Sequence, residues 1–373
     1  MTTTRKLRVA VLFGGRSAEH EISLLSARFV VESLDRELYE PVLIGIDKGG
    51  RWLLQEEALL LTASRDPRLA RLNQAMPDVT LAVHPGPAGQ TALAIAERGS
   101  SAVDVFFPVL HGPMGEDGAV QGLLELAGVP YVGAGVLGSA VGMDKDVMKR
   151  LLLGAGLPMV PHVALRQGAF AADRPAALDR AEALGFPLFV KPANLGSSVG
   201  VSRATSRAEL EKAVDAAFAF DTKILVEKGL DRPREIECAV LGNDDPVASV
   251  PGEIVVTHAD GFYSYAAKYI DETGATLRIP ADLAPAQVER VRDLALQTFR
   301  ALECAGMARV DFFLDGSGAL YVNEINTIPG FTAISMYPKL WEASGVSPRQ
   351  LVQRLIALAL ERGAARAKLR TSR

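Results

Sequence analysis

The 373-residue chain has few of the residues and segments that mark several protein classes. Its two cysteines, Cys238 and Cys304, are too few for a disulfide framework and lack the spacing of a metal site. No apolar run approaches the length of a membrane span. The net charge of -4 argues against a general nucleic-acid binder, which would usually carry a basic excess. We therefore expect neither nucleic acid nor membrane as a partner.

The N-terminus lacks the pattern of a signal peptide. Residues 1–15, MTTTRKLRVAVLFGG, pass from a short basic patch directly into a strand and glycines, without an apolar segment that ends in a small-residue cleavage site. The sequence thus predicts a cytoplasmic protein. Hydrophobic residues make up 49% and charged residues 23%, which is typical of a soluble chain with two or three domains.

Strand and helix patterns divide the chain into three predicted domains: 1–142, 143–233 and 234–373. In the first, apolar strands such as 7–15 alternate with helical segments, which predicts an α/β fold with a doubly wound parallel sheet. Ligands gather at the carboxyl ends of such strands, where two loops, 14–21 and 111–118, are unusually polar. The motif G-x-G-x-x-G is absent, so we reject a dinucleotide site. The other two parts mix strand pairs and helices, as in an α+β fold.

Residues 307–330, MARVDFFLDGSGALYVNEINTIPG, contain a compact set of possible metal ligands. Asp311 begins one apolar run, Glu324 and Asn326 end another, and DGSG between the runs indicates a tight antiparallel hairpin. Strand alternation places Glu324 and Asn326 on one face, which Asp311 could join from the paired strand. Such oxygens suit Mg²⁺. A hairpin with a polar solvent face would look the same, but Arg309 shares the face of Asp311, and two charges there need a reason.

Other segments could bind a phosphate or a nucleobase. The loop 194–200, NLGSSVG, has glycines that permit close backbone approach, together with hydroxyl and N–H donors. Lys191 ends the apolar strand before it, and Lys145 lies at a helix start. Glu227 and Lys228 end a further strand, where a nucleobase could form hydrogen bonds. The structural alternatives are a plain hairpin loop, a solvated lysine and a charged sheet edge.

Two remaining features have both a functional and a structural interpretation. The polar segment around 258–276 is flanked by Gly261 and Gly274, which predicts a mobile lid over a site, although a surface loop with aromatic patches would also fit. His111 and His20 lie at presumed strand ends. A lone histidine is more often a hydrogen-bonded structural residue than a ligand.

Taken together, the two lysines, the Gly/Ser loop, the Glu-Lys strand end and the Asp…Glu-x-Asn hairpin form an ATP–magnesium clamp without a P-loop. This order resembles the ATP-grasp superfamily and, over nearly the whole chain, the D-alanine–D-alanine ligases. The stretch from Glu227 to Glu235 is slightly longer than the family pattern. The motifs that carry the resemblance are GGRSAEHEIS (14–23), HGPMGEDG (111–118), MDK (143–145), KPANLGSSVG (191–200), EKGL (227–230), REIE (234–237), AAKY (266–269), ARVDFF (308–313) and NEINTIPGFT (323–332).

The resemblance implies an N-terminal α/β domain followed by a two-lobed ATP-grasp fold. It also implies an enzyme that joins two D-alanines, with ATP, through a D-alanyl phosphate intermediate during peptidoglycan precursor synthesis. Two Mg²⁺ ions would take part, with Mn²⁺ as a possible substitute, and the enzyme would be a homodimer. Glu21 would hold the ammonium of the first D-alanine within a hydrogen-bonded set that includes Ser197 and Tyr269. Arg309 and the backbone N–H of Gly330 would be the oxyanion donors.

The resemblance implies binding roles for the remaining residues. Those toward D-alanine are His111, Lys268, Ser335 and Met336, with Ser335 meeting the carboxylate of the second D-alanine. Those toward the nucleotide are Lys145, Lys191, Ser198, Glu227, Lys228, Leu230, Glu235 and Lys268. The metal ligands are Asp311, Glu324 and Asn326, with Glu324 bridging the two ions.

Three alternatives remain open. A D-alanine–D-lactate ligase would share these motifs, but the pair Lys268 and Tyr269 resembles the dipeptide-forming type. A non-catalytic ATP-binding regulatory protein on the same fold would be expected to have lost metal ligands or Arg309. The first domain alone suggests a periplasmic-type binding protein, against which the missing signal peptide and the metal hairpin count.

Overall fold

The computed structural model describes residues 5–62, 66, 69–82, 91–96, 99–256 and 275–370. The strands are β1 (Leu7–Gly14), β2 (Tyr39–Ile46), β3 (Trp52–Gln55), β4 (Val79–Leu81), β5 (Thr91–Ile95), β6 (Gly99–Val103), β7 (Val105–Pro108), β8 (His162–Arg166), β9 (Leu188–Pro192), β10 (Ser202–Ala204), β11 (Lys223–Lys228), β12 (Arg234–Gly242), β13 (Val247–Ala248), β14 (Gly252–Val256), β15 (Ala275–Arg278), β16 (Gly306–Leu314) and β17 (Leu320–Asn326). The helices are α1 (His20–Ser33), α2 (Glu57–Thr62), α3 (Ala119–Leu126), α4 (Val136–Met143), α5 (Lys145–Gly154), α6 (Gln167–Ala172), α7 (Arg174–Glu182), α8 (Arg207–Ala217), α9 (Pro285–Ala301), α10 (Met336–Ala343) and α11 (Pro348–Ala367). Within these ranges, no helix combines the length and apolarity needed to cross a membrane.

The first part of the chain is built on a four-stranded sheet with the order β3-β2-β1-β7. Strand β1 is parallel to β2 and β7, as predicted, whereas the edge strand β3 is antiparallel. The chain leaves β1 through Gly14, whose φ is +89° and whose hypothetical Cβ would lie 2.3 Å from the carbonyl oxygen of Ile46. Only glycine fits this turn, which leads into α1 at the carboxyl edge of the sheet. A small antiparallel sheet, β4-β5-β6, was not predicted.

Two antiparallel sheets form the rest of the molecule. The smaller has the order β10-β9-β11-β8, and its pair β9–β10 is the strand–loop–strand unit predicted around the Gly/Ser loop. The larger has the order β15-β14-β12-β16-β17, with β13 attached to β12. Its hairpin β16–β17 encloses the predicted DGSG turn, and Asp315 caps that turn by accepting from the N–H groups of Ser317 and Ala319.

The last helix, α11, ties the end of the chain to the first sheet. It begins with a capping box: Ser347 Oγ accepts from the N–H of Gln350, whose side chain accepts in return from the N–H of Ser347. Leu351 and Leu355 of this helix share one apolar core with Phe107 of β7. Because this core joins the first and third parts of the chain, the boundaries 1–142, 143–233 and 234–373 stay a prediction.

Candidate active site

The predicted metal-ligand residues lie on one face of the β16–β17 hairpin. Asp311 is paired with Glu324, and Arg309 is paired with Asn326. Residues that are directly opposite in an antiparallel pair share a face, and so do residues two apart on one strand. The apolar residues Val310 and Ile325 point the other way, into the core. The predicted arrangement of these three oxygen-bearing side chains is therefore confirmed.

Arg309 lies between two carboxylates on this face. Its Nε and Nη2 groups donate to the two carboxylate oxygens of Asp311, each over 2.7 Å. Glu237 Oε2, on the neighbouring strand β12, lies 2.9 Å from the same Nε atom of Arg309. Burial would lower the pKa of Arg309, but Asp311 and Glu237 raise it well above its ordinary value. The guanidinium is thus a fixed positive charge with a defined orientation.

The chemistry of this face fits divalent cations. Asp311 and Glu324 supply carboxylate oxygens, and Asn326 lies beside them, its Nδ2 group donating to Asp311 Oδ2 over 3.0 Å. Among the residues that the structure describes, no group of three or more His, Cys, Asp or Glu side chains is placed to hold a metal. Two carboxylates and an amide are nevertheless enough for Mg²⁺, which usually takes its remaining ligands from water and substrate phosphates.

Lys145 connects this face to the Gly/Ser loop. Its Nζ group lies 3.4 Å from Glu324 Oε2 and donates to the carbonyl oxygen of Leu195 over 2.7 Å. Helix α5 begins at Lys145, and the preceding residue, Asp144, caps it by accepting from the N–H of Val147. Lys145 is 8% exposed, so the alternative of a solvated helix-start lysine is wrong.

Lys191 and Glu227 meet on the two central strands of the small sheet, β9 and β11. Lys191 Nζ lies 2.6 Å from Glu227 Oε2, and Lys149 Nζ lies 3.0 Å from Glu227 Oε1. Burial alone would raise the pKa of Glu227, but the two ammonium groups lower it to about 2. Glu227 is therefore an ionised, buried carboxylate and not part of a solvated sheet edge. The pattern of the sequence did not single out Lys149.

The predicted hydrogen bond between Ser197 and Glu21 is wrong. Ser197 Oγ donates to Glu19 Oε1 over 2.5 Å, whereas Glu21 pairs with Lys48 over 2.8 Å. Glu19 is the residue that precedes α1, so its side chain extends toward the Gly/Ser loop. Glu21 lies in the first turn, and the helical rotation turns it toward Lys48. The loop itself bends sharply here, because Ser197 and Ser198 both have positive φ, an uncommon conformation for residues with a Cβ.

His111 holds two segments of the site together. Its Nε2 lies 2.9 Å from Ser26 Oγ of α1, and its Nδ1 lies 3.0 Å from the carbonyl oxygen of Ile328. Both ring nitrogens are thus engaged inside the protein. Glu116 Oε1 lies 3.6 Å from Nδ1 of His111. Burial, together with the negative charge of Glu19, raises the pKa of Glu116 to about 7.

The loop after the hairpin brings Gly330 next to Ser335. A Cβ on Gly330 would lie 3.1 Å from Ser335 Oγ, which accepts from the N–H of Thr332 over 3.0 Å. Ser335 is the N-cap residue of α10, although its side chain makes no capping hydrogen bond, and the free N–H groups at a helix N-terminus favour anions. The side chain of Met336 is buried in the core, so we expect only its backbone to reach a ligand.

The remaining predicted residues lie on the larger sheet, around the end of β11, or outside the described ranges. Glu235 is paired with Phe313, and Glu237, two residues further along the same strand, is paired with Asp311. Glu235 therefore lies on the same face as the hairpin residues. Lys228 Nζ donates to the carbonyl oxygen of Leu184, and Leu230 follows just beyond the end of β11. Lys268, Tyr269 and nearly all of the predicted lid lie outside the residues that the structure describes, so their roles stay predictions.

Comparison with known proteins identifies the family. Two family models match, D-ala D-ala ligase N-terminus over residues 8–134 and D-ala D-ala ligase C-terminus over residues 151–357. The chain is 52% identical, over 360 residues, to a D-alanine–D-alanine ligase A of Chromobacterium violaceum, and the aligned residues cover 96% of each chain. The chain belongs to the D-alanine–D-alanine ligase family.

Solved structures of the D-alanine–D-alanine ligase type have the same fold as this chain. The D-alanine-D-alanine ligase from Coxiella burnetii has a TM-score of 0.82 and 38% identity, and covers 97% of this chain and 98% of its own. The VanG D-Ala:D-Ser ligase from Enterococcus faecalis has a TM-score of 0.83 and 34% identity, and covers 95% and 100%. The predicted ATP-grasp fold with an N-terminal α/β domain is therefore confirmed.

The pair Glu116–His111 predicts a pH dependence of stability for this D-alanine–D-alanine ligase family member. A carboxyl group whose pKa is raised on folding contributes stability that is fully present below its unfolded pKa of 4.5. This contribution is lost as the pH rises through the folded pKa of about 7. His111, whose pKa is lowered by burial but raised more by Glu116, adds an effect of the same sign. Between pH 5 and 8, the free energy of unfolding of the parent should fall by up to about 3 kcal/mol because of Glu116. Glu116→Gln should not show this fall.

Chemical denaturation at several pH values would measure this difference. The exposed residue Glu40 offers a matched control, because Glu40→Gln removes the same charge from the surface. The control should follow the parent curve, whereas Glu116→Gln should be flatter. Parallel curves for the parent and Glu116→Gln would show that Glu116 does not titrate in this range.

Proposed function

We propose that the groove lined by the β16–β17 hairpin, the Gly/Ser loop and the start of α1 is the site at which this chain performs the reaction of its family. The chain is an ATP-dependent ligase that joins two D-alanines to D-alanyl-D-alanine for peptidoglycan precursor synthesis, and it uses a divalent metal. The observation that carries the proposal is that Arg309, Asp311, Glu324 and Lys145 are in contact, although they come from two separate parts of the chain.

The reaction needs an activated carboxylate, because a free carboxylate is a poor acyl donor. A carboxylate oxygen of the first D-alanine attacks the γ-phosphorus of ATP and displaces ADP, which gives D-alanyl phosphate. The amine of the second D-alanine then attacks the carbonyl carbon, forms a tetrahedral intermediate, loses a proton and expels phosphate. Both steps build up negative charge on oxygen, so positioning and charge stabilisation by the protein supply the catalysis.

Arg309 and the backbone N–H of Gly330 are the proposed donors to the oxyanion of the intermediate. The two hydrogen bonds to Asp311 and the nearby Glu237 hold the guanidinium in one orientation before any substrate binds. Such preorganisation means that little reorganisation is needed as the charge develops. Ser335 and the backbone of Met336, at the N-terminus of α10, would receive the carboxylate of the second D-alanine.

Asp311, Glu324 and Asn326 would hold the divalent metal, which we propose to be two Mg²⁺ ions. When bound, the ions would neutralise charge on the phosphates of ATP. Lys145 and Lys191 would add positive charge beside the same phosphates, as would Lys268 from the lid. Glu227, Lys228, Leu230 and Glu235 would surround the adenosine, and Ser198 would contribute from the Gly/Ser loop.

We assign the ammonium of the first D-alanine to Glu19 in place of Glu21, because Glu19 contacts Ser197 in the groove. Glu19→Gln should raise the KM for D-alanine at least about tenfold, as expected when a charge-assisted bond to a cation is lost. Glu21→Gln is the matched control, since it removes the same charge two residues away, where the partner is Lys48. Steady-state kinetics at saturating ATP would measure both. A larger effect of Glu21→Gln would return the role to Glu21.

Tyr269 and Lys268 keep their predicted roles within this proposal. Tyr269 would complete the hydrogen-bonded set with Ser197 and Glu19 when the lid closes. His111 supports the site from behind, and its direct contact with D-alanine stays a prediction. The predicted cytoplasmic location and homodimer also stay predictions, which cell fractionation and sedimentation would test.

Phosphate release from ATP, with the product identified by mass, tests the proposed function. D-alanine should support release and yield the dipeptide, whereas L-alanine alone should not. D-lactate and D-serine, each mixed with D-alanine, test the acceptor, because one solved relative is described as a D-Ala:D-Ser ligase. A main product of D-alanyl-D-lactate or D-alanyl-D-serine would overturn the assigned acceptor, and no release with any of the four would overturn the function.

A further inference from the structure

Lys149 is a lysine without solvent exposure, and the mechanism above gives it no task. Its side chain is 0% exposed, on the inner face of α5 and one turn after Lys145. Its Nζ group lies 3.0 Å from Glu227 Oε1 and donates to the carbonyl oxygen of Asn323 over 3.4 Å. Burying an ammonium group is costly unless it is paired, so its position calls for a specific reason.

Asn323 is the extra residue of a bulge in β17. Phe312 is paired with Val322 and Asp311 with Glu324, so Asn323 has no partner across the hairpin. The bulge turns both Asn323 and its neighbour Glu324 away from the core. Asn323 then meets two lysines: its backbone oxygen accepts from Lys149, and its Oδ1 accepts from Lys191 over 3.3 Å. The bulge thus places a cluster of Lys149, Lys191 and Glu227 directly beside the proposed metal face.

The cluster contains one carboxylate for two buried ammonium groups. Lys191 and Lys149 hold opposite oxygens of Glu227, over 2.6 Å and 3.0 Å. Lys191 is 8% exposed, whereas Lys149 is fully enclosed. If Lys191 turns toward a phosphate, as the proposed function requires, Glu227 loses its nearer partner. Without a second cation, a buried carboxylate would then be left unpaired, which is strongly unfavourable.

We infer that Lys149 is a positioning residue for nucleotide selection: it holds the carboxylate of Glu227 in place, as an acceptor for a 6-amino purine, when Lys191 contacts the phosphates. A carboxylate accepts hydrogen bonds but cannot donate them. It therefore suits the amino group of adenine and repels the 6-oxo group of hypoxanthine or guanine. Lys149 does not touch the nucleotide and acts only through Glu227. The inference rests on the proposed function, which places the nucleobase at Glu227.

The test compares ATP with inosine triphosphate as the phosphoryl donor. In Lys149→Met, the ratio of kcat/KM for ATP to that for inosine triphosphate should fall at least about tenfold, in line with the loss of one charge-assisted contact. The KM for D-alanine should stay within about twofold of the parent, since a positioning role at the nucleobase leaves the amino-acid site intact. Lys149→Gln, which keeps a hydrogen-bond donor but removes the charge, gives the same comparison if Lys149→Met does not fold.

Lys223→Met is the matched control. Lys223 is also a buried lysine beside α5, but its partners are Asp144 and Asp146. Both Lys223→Met and Lys149→Met should lower the melting temperature, but only Lys149→Met should change the nucleotide ratio. A fall in the ratio for Lys223→Met as large as that for Lys149→Met would assign the effect to general destabilisation and overturn the inference.

Glu227→Gln separates failure of the inference from failure of the proposed function. If Lys149 acts through Glu227, the double variant should show the same nucleotide ratio as Glu227→Gln alone. A reduced ratio in Glu227→Gln with an unchanged ratio in Lys149→Met would overturn only the role of Lys149. Unchanged ratios in both would overturn the placement of the nucleobase at Glu227.

Discussion

Replacing Arg309 with methionine is expected to lower turnover on the order of a hundredfold or more, because a major donor to the oxyanion is lost. Methionine keeps much of the length and the apolar contacts of the side chain. The loss should appear mainly in kcat, since the guanidinium is proposed to stabilise charge that develops in the transition state. Stopped-flow or steady-state phosphate release would measure the change. An unchanged turnover number would contradict the role of Arg309.

Two controls make the Arg309 result specific. Binding of ADP, measured by calorimetry, should suffer much less than turnover, because Arg309 is assigned to the acyl centre and not to the adenosine. Arg309→Lys retains the charge but cannot donate to both oxygens of Asp311 as Arg309 does. It should therefore recover only part of the activity. Full recovery with lysine would show that charge alone, without the fixed orientation, is sufficient.

Replacing Glu324 with glutamine is expected to lower turnover at least about a thousandfold while the fold stays intact, because a neutral amide cannot balance two divalent cations. The change keeps the size and shape of the side chain, and among the described residues it removes the ion pair with Lys145. We expect circular dichroism and the melting temperature to change little. Near-native activity at ordinary Mg²⁺ concentrations would show that the hairpin is not the metal site.

Glu253→Gln provides the control for Glu324→Gln. Glu253 is a buried carboxylate of the same sheet, and its partners are Arg234 and Arg278. Its replacement should reduce stability more than Glu324→Gln does, because it leaves two arginines without their partner. It should reduce turnover far less. The opposite order of effects would indicate that Glu324→Gln acts through the fold.

The hairpin shows what sequence reasoning can establish for this protein. Asp311, Glu324 and Asn326 were predictable because strand alternation and a turn signal together fix which side chains share a face. The bulge at Asn323 leaves only a weak mark in the sequence, a step of three residues between the apolar positions Val322 and Ile325, which by itself does not distinguish a bulge from a strand end. The bulge lies before Glu324, so Glu324 and Asn326 still lie on the predicted face. The two contacts of Asn323 with lysines could be found only in the structure.

The choice between Glu19 and Glu21 shows a limit of the same reasoning. Both carboxylates lie in one short motif, and their separation of two residues gives nearly opposite directions at a helix start. Deciding between them requires the residue at which α1 begins, His20, and helix ends are poorly marked in sequence. Lys149 could have been suspected, because it follows Lys145 by four residues and therefore shares its helix face.

The central claim is that the nucleotide and the metals occupy the groove beside the β16–β17 hairpin. Crystals grown with ADP, Mn²⁺ and a phosphinate-type transition-state mimic would test this claim, because Mn²⁺ can be located by anomalous scattering. We predict two peaks, each roughly 2–2.5 Å from oxygens of Asp311, Glu324 or Asn326, with Glu324 contacting both. Peaks at any other place, or nucleotide density away from Lys145 and Glu227, would contradict the account.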